Sequence, residues 1–156
     1  MKGKGRSLTG SSPVDRGKPG SKTHALSDHN GLPLSVAFSA ANTSDSPALK
    51  LLVRAIPAIR LPRGPRRCKP AKLHPDKAYD CAGIRVWLRG RAIVPRIARK
   101  GVESKERLGR HRWVIERTMA WFTGYRRLAI RYERKASHFA AFLTLGAAIT
   151  CYKKLP

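Results

Sequence analysis

The feature that most constrains the fold of this chain is its excess of positive charge. The 156 residues include 33 lysines and arginines against 9 aspartates and glutamates, a formal net charge of +24 at pH 7. Like charges at this density repel one another and oppose compaction unless counterions or a polyanion screen them. The charge therefore predicts a polyanionic partner. Nucleic acid is the first candidate, and an anionic membrane surface is the second.

The composition nevertheless allows a packed core. Hydrophobic residues make up 42% of the chain, which has three Trp, four Tyr and four Phe, unlike a purely disordered basic tail. The length is that of one ordinary domain. The longest apolar run, residues 139–152, is too short to span a bilayer and predicts a buried helix. No apolar segment follows the basic N-terminus, so no signal peptide is predicted.

The cysteines favour a reducing compartment. Cys68, Cys81 and Cys151 are three in number and follow no repeating spacing, which predicts free thiols. Cys68, His74 and Cys81 lack the CxxC pair and the fourth ligand that are typical of a zinc site.

The pattern along the chain predicts a mixed α/β fold. Residues 1–21 read as a flexible basic arm without periodicity, followed by a single domain over 22–156. Two short alternating segments around Asn30-Gly31 predict a β-hairpin. After it come predicted elements in the order helix, strand, helix, strand, helix, helix. These are a helix ended by Pro57, a strand at 72–74, a helix with Ile84, Trp87 and Leu88 on one face, a strand at 92–98, a charged loop at 99–111, a helix at 110–125 and a final helix from about His138.

Two carboxylates stand out in a chain with so few acids. Asp76 follows a short apolar run, at the predicted carboxyl end of a strand, where active groups lie in open α/β sheets. Glu116 lies in the middle of a predicted helix, four residues after Arg112. Taken singly, Asp76 is typical of a turn or cap residue and Glu116 of a helix salt bridge. Together, in a chain that attracts polyanions, they predict a site for a divalent metal that acts on phosphate groups.

Four blocks of the sequence carry a resemblance to a known family. The segments "SPVDRGKPGSKTHALSDHNGLPLSVAFSAANTSD", "DKAYD", "IARKGV" and "LGRHRWVIERTMAWFTGYRRLAIRYER" resemble, in this order, the DDE transposases of bacterial insertion sequences, specifically the insertion-sequence-five group. The similarity covers about residues 12–155. It implies a ribonuclease-H-like mixed sheet with flanking helices and Mg²⁺- or Mn²⁺-dependent cleavage and transfer of DNA strands. It also implies a location at the nucleoid of the bacterial cytoplasm.

The resemblance assigns site residues and also shows departures. Asp76 matches the second catalytic aspartate, in a setting completed by Tyr79, and Glu116 matches the catalytic glutamate, with Arg112 four residues before it. The family's first catalytic aspartate lies on a first strand that has no counterpart in this sequence. Gly109 and Thr123 replace a tyrosine and a lysine of the family pattern. The chain is therefore expected to be the C-terminal part of a transposase, from a second reading frame or a decayed element, and to bind DNA but cut poorly alone.

The basic residues are expected to contact DNA phosphates, either as element ends or as target. Homo-oligomers, or a chain that carries the upstream half, are the expected protein partners. A non-catalytic nucleic-acid-binding protein explains the charge equally well, and a general Mg²⁺ nuclease of the same fold is a third reading. Trp113 and Trp121 are expected to pack in the core rather than stack on bases. The candidate phosphate contacts are Arg66, Arg67 and Lys69 in a loop, Arg112, and Arg126, Arg127, Arg131 and Arg134 after the Glu116 helix.

Overall fold

The computed structural model of the chain describes residues 7–14, 16–60, 64–99, 101–102 and 105–154, with the backbone alone for 105–111. Both strands and helices occur along it, so the predicted mixture of α and β structure is confirmed. The strands are β1 (Gly10–Ser11), β2 (Pro19–Ser27), β3 (Pro33–Ala40), β4 (Lys72–Leu73) and β5 (Val94–Pro95). The helices are α1 (Asp45–Arg54), α2 (Ala82–Arg89), α3 (Lys105–Thr123), α4 (Arg126–Ala129) and α5 (Ala136–Lys154), with a 3-10 turn at Lys77–Tyr79.

The predicted hairpin is present as β2 and β3, which pair antiparallel from Ser21 opposite Ala40 to Ser27 opposite Pro33. The connection is longer than a two-residue turn. The Asp28 carboxylate accepts hydrogen bonds from the backbone N–H groups of Asn30 and Leu32 at 2.9 and 2.8 Å. Gly31 adopts a φ of 83°, a conformation that glycine reaches without steric cost.

Helices cover the two faces of this hairpin. On one face, the Ser35 hydroxyl donates to the Leu52 carbonyl of α1 at 2.8 Å. On the other, Phe38 packs edge-on against Phe139 of α5, with ring centroids 5.1 Å apart. Residues 35 and 38 point to opposite faces because side chains alternate along a strand. The main core joins the α1 face to α2 and β5 and consists of Leu26, Leu49, Leu52, Val53, Ile56, Ile84, Leu88, Ile93 and Ile97.

The strands form two sheets in the described residues, where the sequence predicted one mixed sheet. The first is antiparallel with the order β1-β2-β3, and the second is the parallel pair β4-β5. No pairing between described strands joins the two sheets. The parallel pair is short because each strand contributes only two residues.

The segment predicted to be a flexible arm makes backbone contacts in its described part. There β1 pairs with the first residues of β2, and the Ser7 N–H donates to the Arg134 carbonyl at 3.1 Å. Residues 1–6 and 15 lie outside the described residues, and the flexibility of the arm stays a prediction. The loop predicted at 99–111 is shorter, because the backbone is already helical from Lys105.

Candidate active site

Asp76 lies where the sequence placed it, just beyond the carboxyl end of a strand. Two residues, His74 and Pro75, separate it from the end of β4. Its Oδ1 accepts a hydrogen bond from the Lys77 N–H at 2.6 Å and so caps the 3-10 turn. Since β4 and β5 are parallel, their carboxyl ends meet at one edge, and the exposed Asp76 stands at that edge. This is the position at which open α/β sheets bind ligands.

Tyr79 connects Asp76 to the first sheet. Its half-buried ring packs against the main core. Burial, together with the negative charges of Asp45 and Asp76, raises the pKa of the Tyr79 phenol to about 12, so the phenol stays neutral at physiological pH. Asp45 is itself paired with Lys22 of β2, with Nζ to Oδ1 at 2.6 Å. The negative charges of Asp45 and Asp76 therefore both act on the Tyr79 phenol.

Glu116 lies on an exposed part of α3. Its Oε1 is 2.8 Å from the Nε of Arg112, one helical turn earlier, and the two side chains are 61% and 69% exposed. Solvent screens such a pair, so its contribution to stability is at most about 1 kcal/mol. The carboxylate is thus not needed to hold the helix in place and is available for chemistry at the surface.

The contacts of α3 place Glu116 and Asp76 in different settings. Arg117, the next residue after Glu116, donates to the carbonyl of Asn30, and Thr118 donates to the carbonyl of Gly31 at 2.7 Å. These contacts tie α3 to the β2–β3 turn, whereas Asp76 caps the 3-10 turn at Lys77–Tyr79. The two carboxylates share no partner among the contacts of the described residues.

The oxygen atoms of Asp76 and Glu116 are suitable ligands for a hard cation, but they are not part of a preassembled group of donors. Carboxylate oxygens are the ligands that Mg²⁺ prefers, usually one or two together with water and phosphate. The part of the chain that the structure describes contains no group of three or more His, Cys, Asp or Glu side chains close enough to hold a metal. Asp76 and Glu116 therefore fit a metal by ligand type, and the described residues supply no preassembled cage for it.

The loop and α3 cations of the sequence prediction lie at the surface. Arg66, Arg67 and Lys69 are exposed in the segment that precedes β4. The backbone of Arg67 pairs with Ile59 in both directions, at 2.8 and 2.9 Å, which fixes this part of the segment. The Lys69 ammonium donates to the Arg91 carbonyl at 3.3 Å. All three side chains are placed where a polyanion could reach them, as is Arg112 on α3.

Two of the four arginines after α3 have structural partners that the sequence did not reveal. Arg131 is half-buried, donates to the carbonyl of Ser7 at 2.6 Å and to the Ser21 hydroxyl at 2.6 Å, and packs over Phe38 and Phe139. Arg127 pairs with the buried Glu133 at 2.9 Å. The side chains of Arg126 and Arg134 are exposed. Sequence spacing gave no signal for these contacts because their partners lie more than a hundred residues away or in a short irregular turn.

The tryptophans are placed differently from the prediction of core packing. Trp113 is 51% exposed, so that prediction is wrong for it, while Trp121 is half-buried. The guanidinium of Arg117 lies 4.5 Å from the Trp113 ring and 5.4 Å from the Trp121 ring. The i, i+4, i+8 spacing of these three residues places them on one helical stripe, which explains the stack. Nothing in the sequence indicated that three cations would lie around the ring of Trp87.

Among the residues that the structure describes, none of the helices combines the length and the apolar character needed to cross a bilayer.

Comparison with known proteins is consistent across almost the whole chain. Residues 2–151 match the family model described as "Transposase DDE domain". The chain is 44% identical over 151 residues to a protein of Burkholderia cepacia named "Putative transposase for insertion sequence element IS402", with 97% of this chain and 72% of that protein covered. No solved structure matches significantly. The chain therefore belongs to the family of DDE transposases of insertion sequences.

Proposed function

We propose that this chain acts in DNA transposition, cleaving and transferring DNA strands with Asp76 and Glu116 as its metal-binding catalytic residues. The observation that carries the proposal is the placement of Asp76 at the carboxyl edge of the parallel β4–β5 pair, in a chain that matches the transposase family over residues 2–151. The antiparallel and parallel sheets are proposed to be the two parts of a ribonuclease-H-like arrangement. The proposed place of action is the nucleoid in the bacterial cytoplasm.

Mg²⁺ or Mn²⁺ is the cofactor that the carboxylates suit. When bound, such an ion activates an attacking oxygen and stabilises a leaving oxygen in phosphate chemistry. The protein's own groups would hold and orient it: the Asp76 carboxylate from the strand edge and the Glu116 carboxylate from α3. Arg112, whose guanidinium already lies on the Glu116 carboxylate, would help to place a DNA phosphate beside it.

The proposed partners are DNA, as element ends and as target, and a further polypeptide. Two carboxylates hold a metal loosely, so we propose that this chain alone cuts slowly and gains from another copy or from a chain that supplies a further carboxylate. The positive charge serves the DNA contact by attracting phosphates over a distance.

The test is a strand cleavage and joining assay on DNA that carries the ends of the insertion sequence, with Mg²⁺ or Mn²⁺. Asp76→Asn and Glu116→Gln should each reduce the rate by on the order of 10²-fold or more, the scale expected when one electrostatic group of a transition state is removed. Asp80→Asn is the matched control, because Asp80 lies in the same turn and is paired with Arg85 at 2.6 Å. The same assay is run with this chain extended by the segment encoded upstream.

A second function is favoured by one observation, the absence of a three-donor group among the described residues. In this alternative the chain is a basic nucleic-acid-binding protein without catalysis. Tight DNA binding, with no metal-dependent cleavage by the chain or its extended form, would support the alternative. Cleavage that is equally reduced in the Asp80→Asn control would contradict the assignment of Asp76.

A further inference from the structure

Three cations surround the indole ring of Trp87 on one surface of the molecule. The Arg91 guanidinium lies 4.7 Å from the ring centroid, and the Lys50 ammonium and the Arg54 guanidinium each lie 5.9 Å from it. Lys50 and Arg54 are one turn apart on α1, and Arg91 follows α2. Cation–π attraction of this kind holds charged side chains over a ring and partly offsets their mutual repulsion. We call Trp87 with Lys50, Arg54, Lys69 and Arg91 the Trp87 surface.

A small cavity adjoins these cations. It has a volume of about 180 Å³, and its lining combines three cations with an apolar floor. Lys69 reaches across it, since the Lys69 ammonium donates to the Arg91 carbonyl at 3.3 Å. The lining residues are Val53, Arg54, Cys68, Lys69, Arg91 and Ile93.

The cations of the Trp87 surface have no carboxylate partner in the described part of the chain. The ion pairs found there join Lys22 to Asp45, Arg85 to Asp80, Arg112 to Glu116 and Arg127 to Glu133. A bound anion would reduce the repulsion among these four cations. An extended polyanion carries enough charges to pair with all four, whereas a single small anion does not.

The Trp87 surface also lies away from the candidate catalytic edge. Lys69 precedes β4 and Arg91 precedes β5, so both stand at the amino ends of the two parallel strands. Asp76 follows β4 and stands at the carboxyl end. The strands run in the same direction, so these two groups lie at opposite edges of the small sheet. A ligand on the Trp87 surface would therefore leave the carboxylate edge open.

We propose that the Trp87 surface binds the backbone phosphates of duplex DNA, as a second contact at the opposite end of the β4–β5 pair from Asp76. The proposal rests on the proposed function, which makes DNA the substrate. Arg54, Lys69 and Arg91 neutralise phosphates at the cavity, and Trp87 is a positioning residue whose faces are occupied by cations rather than bases. Phosphate contacts of this kind fix the protein on the duplex without reading sequence.

The first test compares two double variants that remove the same charge. Arg54→Gln with Arg91→Gln should lower the slope of log K against log salt by about 1.8, since each lost phosphate contact removes about 0.9. By the same relation, duplex affinity at about 0.1 M salt should fall by on the order of 50-fold. The matched control is Arg89→Gln with Lys135→Gln, both of which are exposed outside the Trp87 surface. An equal loss of slope in the two double variants would overturn the proposal.

Trp87 is tested by two further substitutions. Trp87→Phe keeps an aromatic face for the cations, and its duplex affinity should stay near that of the unmodified chain. Trp87→Leu removes that face, and affinity should fall several-fold although no charge is lost. Equal affinities for the two variants, with thermal unfolding measured alongside, would contradict the positioning role.

Cys68 offers a direct readout because its exposed thiol lines the cavity. Duplex DNA should slow the modification of Cys68 by a thiol reagent several-fold. The extent of modification is measured by mass spectrometry of the Cys68 peptide. Arg54→Gln with Arg91→Gln should abolish this protection, and inorganic phosphate at the same phosphate concentration should not produce it. Anionic phospholipid vesicles that protect Cys68 as strongly as DNA would overturn the proposal.

The two proposals fail in distinguishable ways. If the unmodified chain does not bind duplex DNA at any salt concentration, the proposed function fails along with the surface. If the chain binds duplex DNA while Cys68 stays fully reactive, only the Trp87 surface is wrong.

Discussion

At the scale of single residues, two glutamates differ most clearly in their surroundings. Glu116 is exposed and pairs with an exposed arginine, whereas Glu133 is buried, with its side chain 5% exposed. Burial acts to raise the pKa of Glu133, but hydrogen bonds from the backbone and from Arg127, with the charge of Arg127, outweigh it and lower the pKa below its usual value. Glu133 is therefore a structural anion, and Glu116 is the one available at the surface.

This difference predicts a pH dependence of stability. The folded-state pKa of Glu133 is lower than the unfolded one, so its contribution is present above the usual value of 4.5 and is lost as the pH falls through the folded pKa. Glu133→Gln should lower the free energy of unfolding at neutral pH by about 1–3 kcal/mol. The deficit should shrink below about pH 4.5. Urea unfolding between neutral and acidic pH measures both effects.

Glu116→Gln is the control for that experiment. Its exposed ion pair should change the free energy of unfolding by no more than about 1 kcal/mol at any pH. A loss of stability in Glu116→Gln as large as that in Glu133→Gln would contradict the division between the two carboxylates.

At the scale of elements, α3 is held against the β2–β3 turn next to Glu116, and we call this contact of Arg117 and Thr118 with Asn30 and Gly31 the joint. The Thr118 side chain is fully buried, and its hydroxyl donates to the Gly31 carbonyl at 2.7 Å. A Cβ atom built on Gly31 would lie 3.3 Å from the Arg117 Nε and the Thr118 Oγ1. The positive φ of Gly31 and this close approach together explain why the position suits glycine.

Gly31→Ala should therefore destabilise the fold through both backbone strain and packing. We expect a loss of about 2–4 kcal/mol in the free energy of unfolding, of which about 1–2 kcal/mol is left-handed backbone strain. Gly64→Ala separates the two causes, because Gly64 has a φ of 101° and no neighbour within 4 Å of a built Cβ. Equal losses in the two variants, by chemical denaturation, would show that the joint adds nothing beyond strain.

Local signals predicted the elements better than the contacts between them. The hairpin around Asn30-Gly31, the helix before Pro57 and the apolar face of α2 are encoded within a few residues, and the structure confirms these elements. Strand β1 has only two residues, too few for a periodic signal, and the contact of Arg131 with Ser7 joins residues more than a hundred positions apart. Asp76 could be placed at a strand end from sequence because its strand is adjacent, and whether it is catalytic stays a prediction. The Trp87 surface could not be predicted from sequence because its residues come from α1, from α2 and from segments outside the helices.

At the scale of the whole molecule, the net charge dominates the balance of forces. Four ion pairs are found among the described residues, against a formal net charge of +24 for the chain. Three of these pairs have both side chains at least a sixth exposed, and exposed ion pairs contribute little to stability. Screening them with salt therefore removes little stabilising free energy. Repulsion among the remaining cations is the larger electrostatic contribution to the folded state.

Added salt should therefore stabilise this protein. Raising NaCl from about 0.01 M to about 0.15 M shortens the Debye length from about 30 Å to about 8 Å. The screening should raise the thermal unfolding midpoint by several degrees, since repulsion is weakened more than the pairs are. A midpoint that falls with NaCl, measured by circular dichroism, would mean that the ion pairs outweigh the repulsion.

The long separation between the hairpin and its covering elements has a consequence for synthesis on the ribosome. The hairpin of residues 19–40 is synthesised well before Thr118, Phe139 and Cys151, which bind it from α3 and α5. Until α5 has been made, the Phe38 side of the nascent hairpin lacks the helix that covers it. Because exposed apolar strands are prone to aggregate, we expect the nascent hairpin to need protection until these helices can dock.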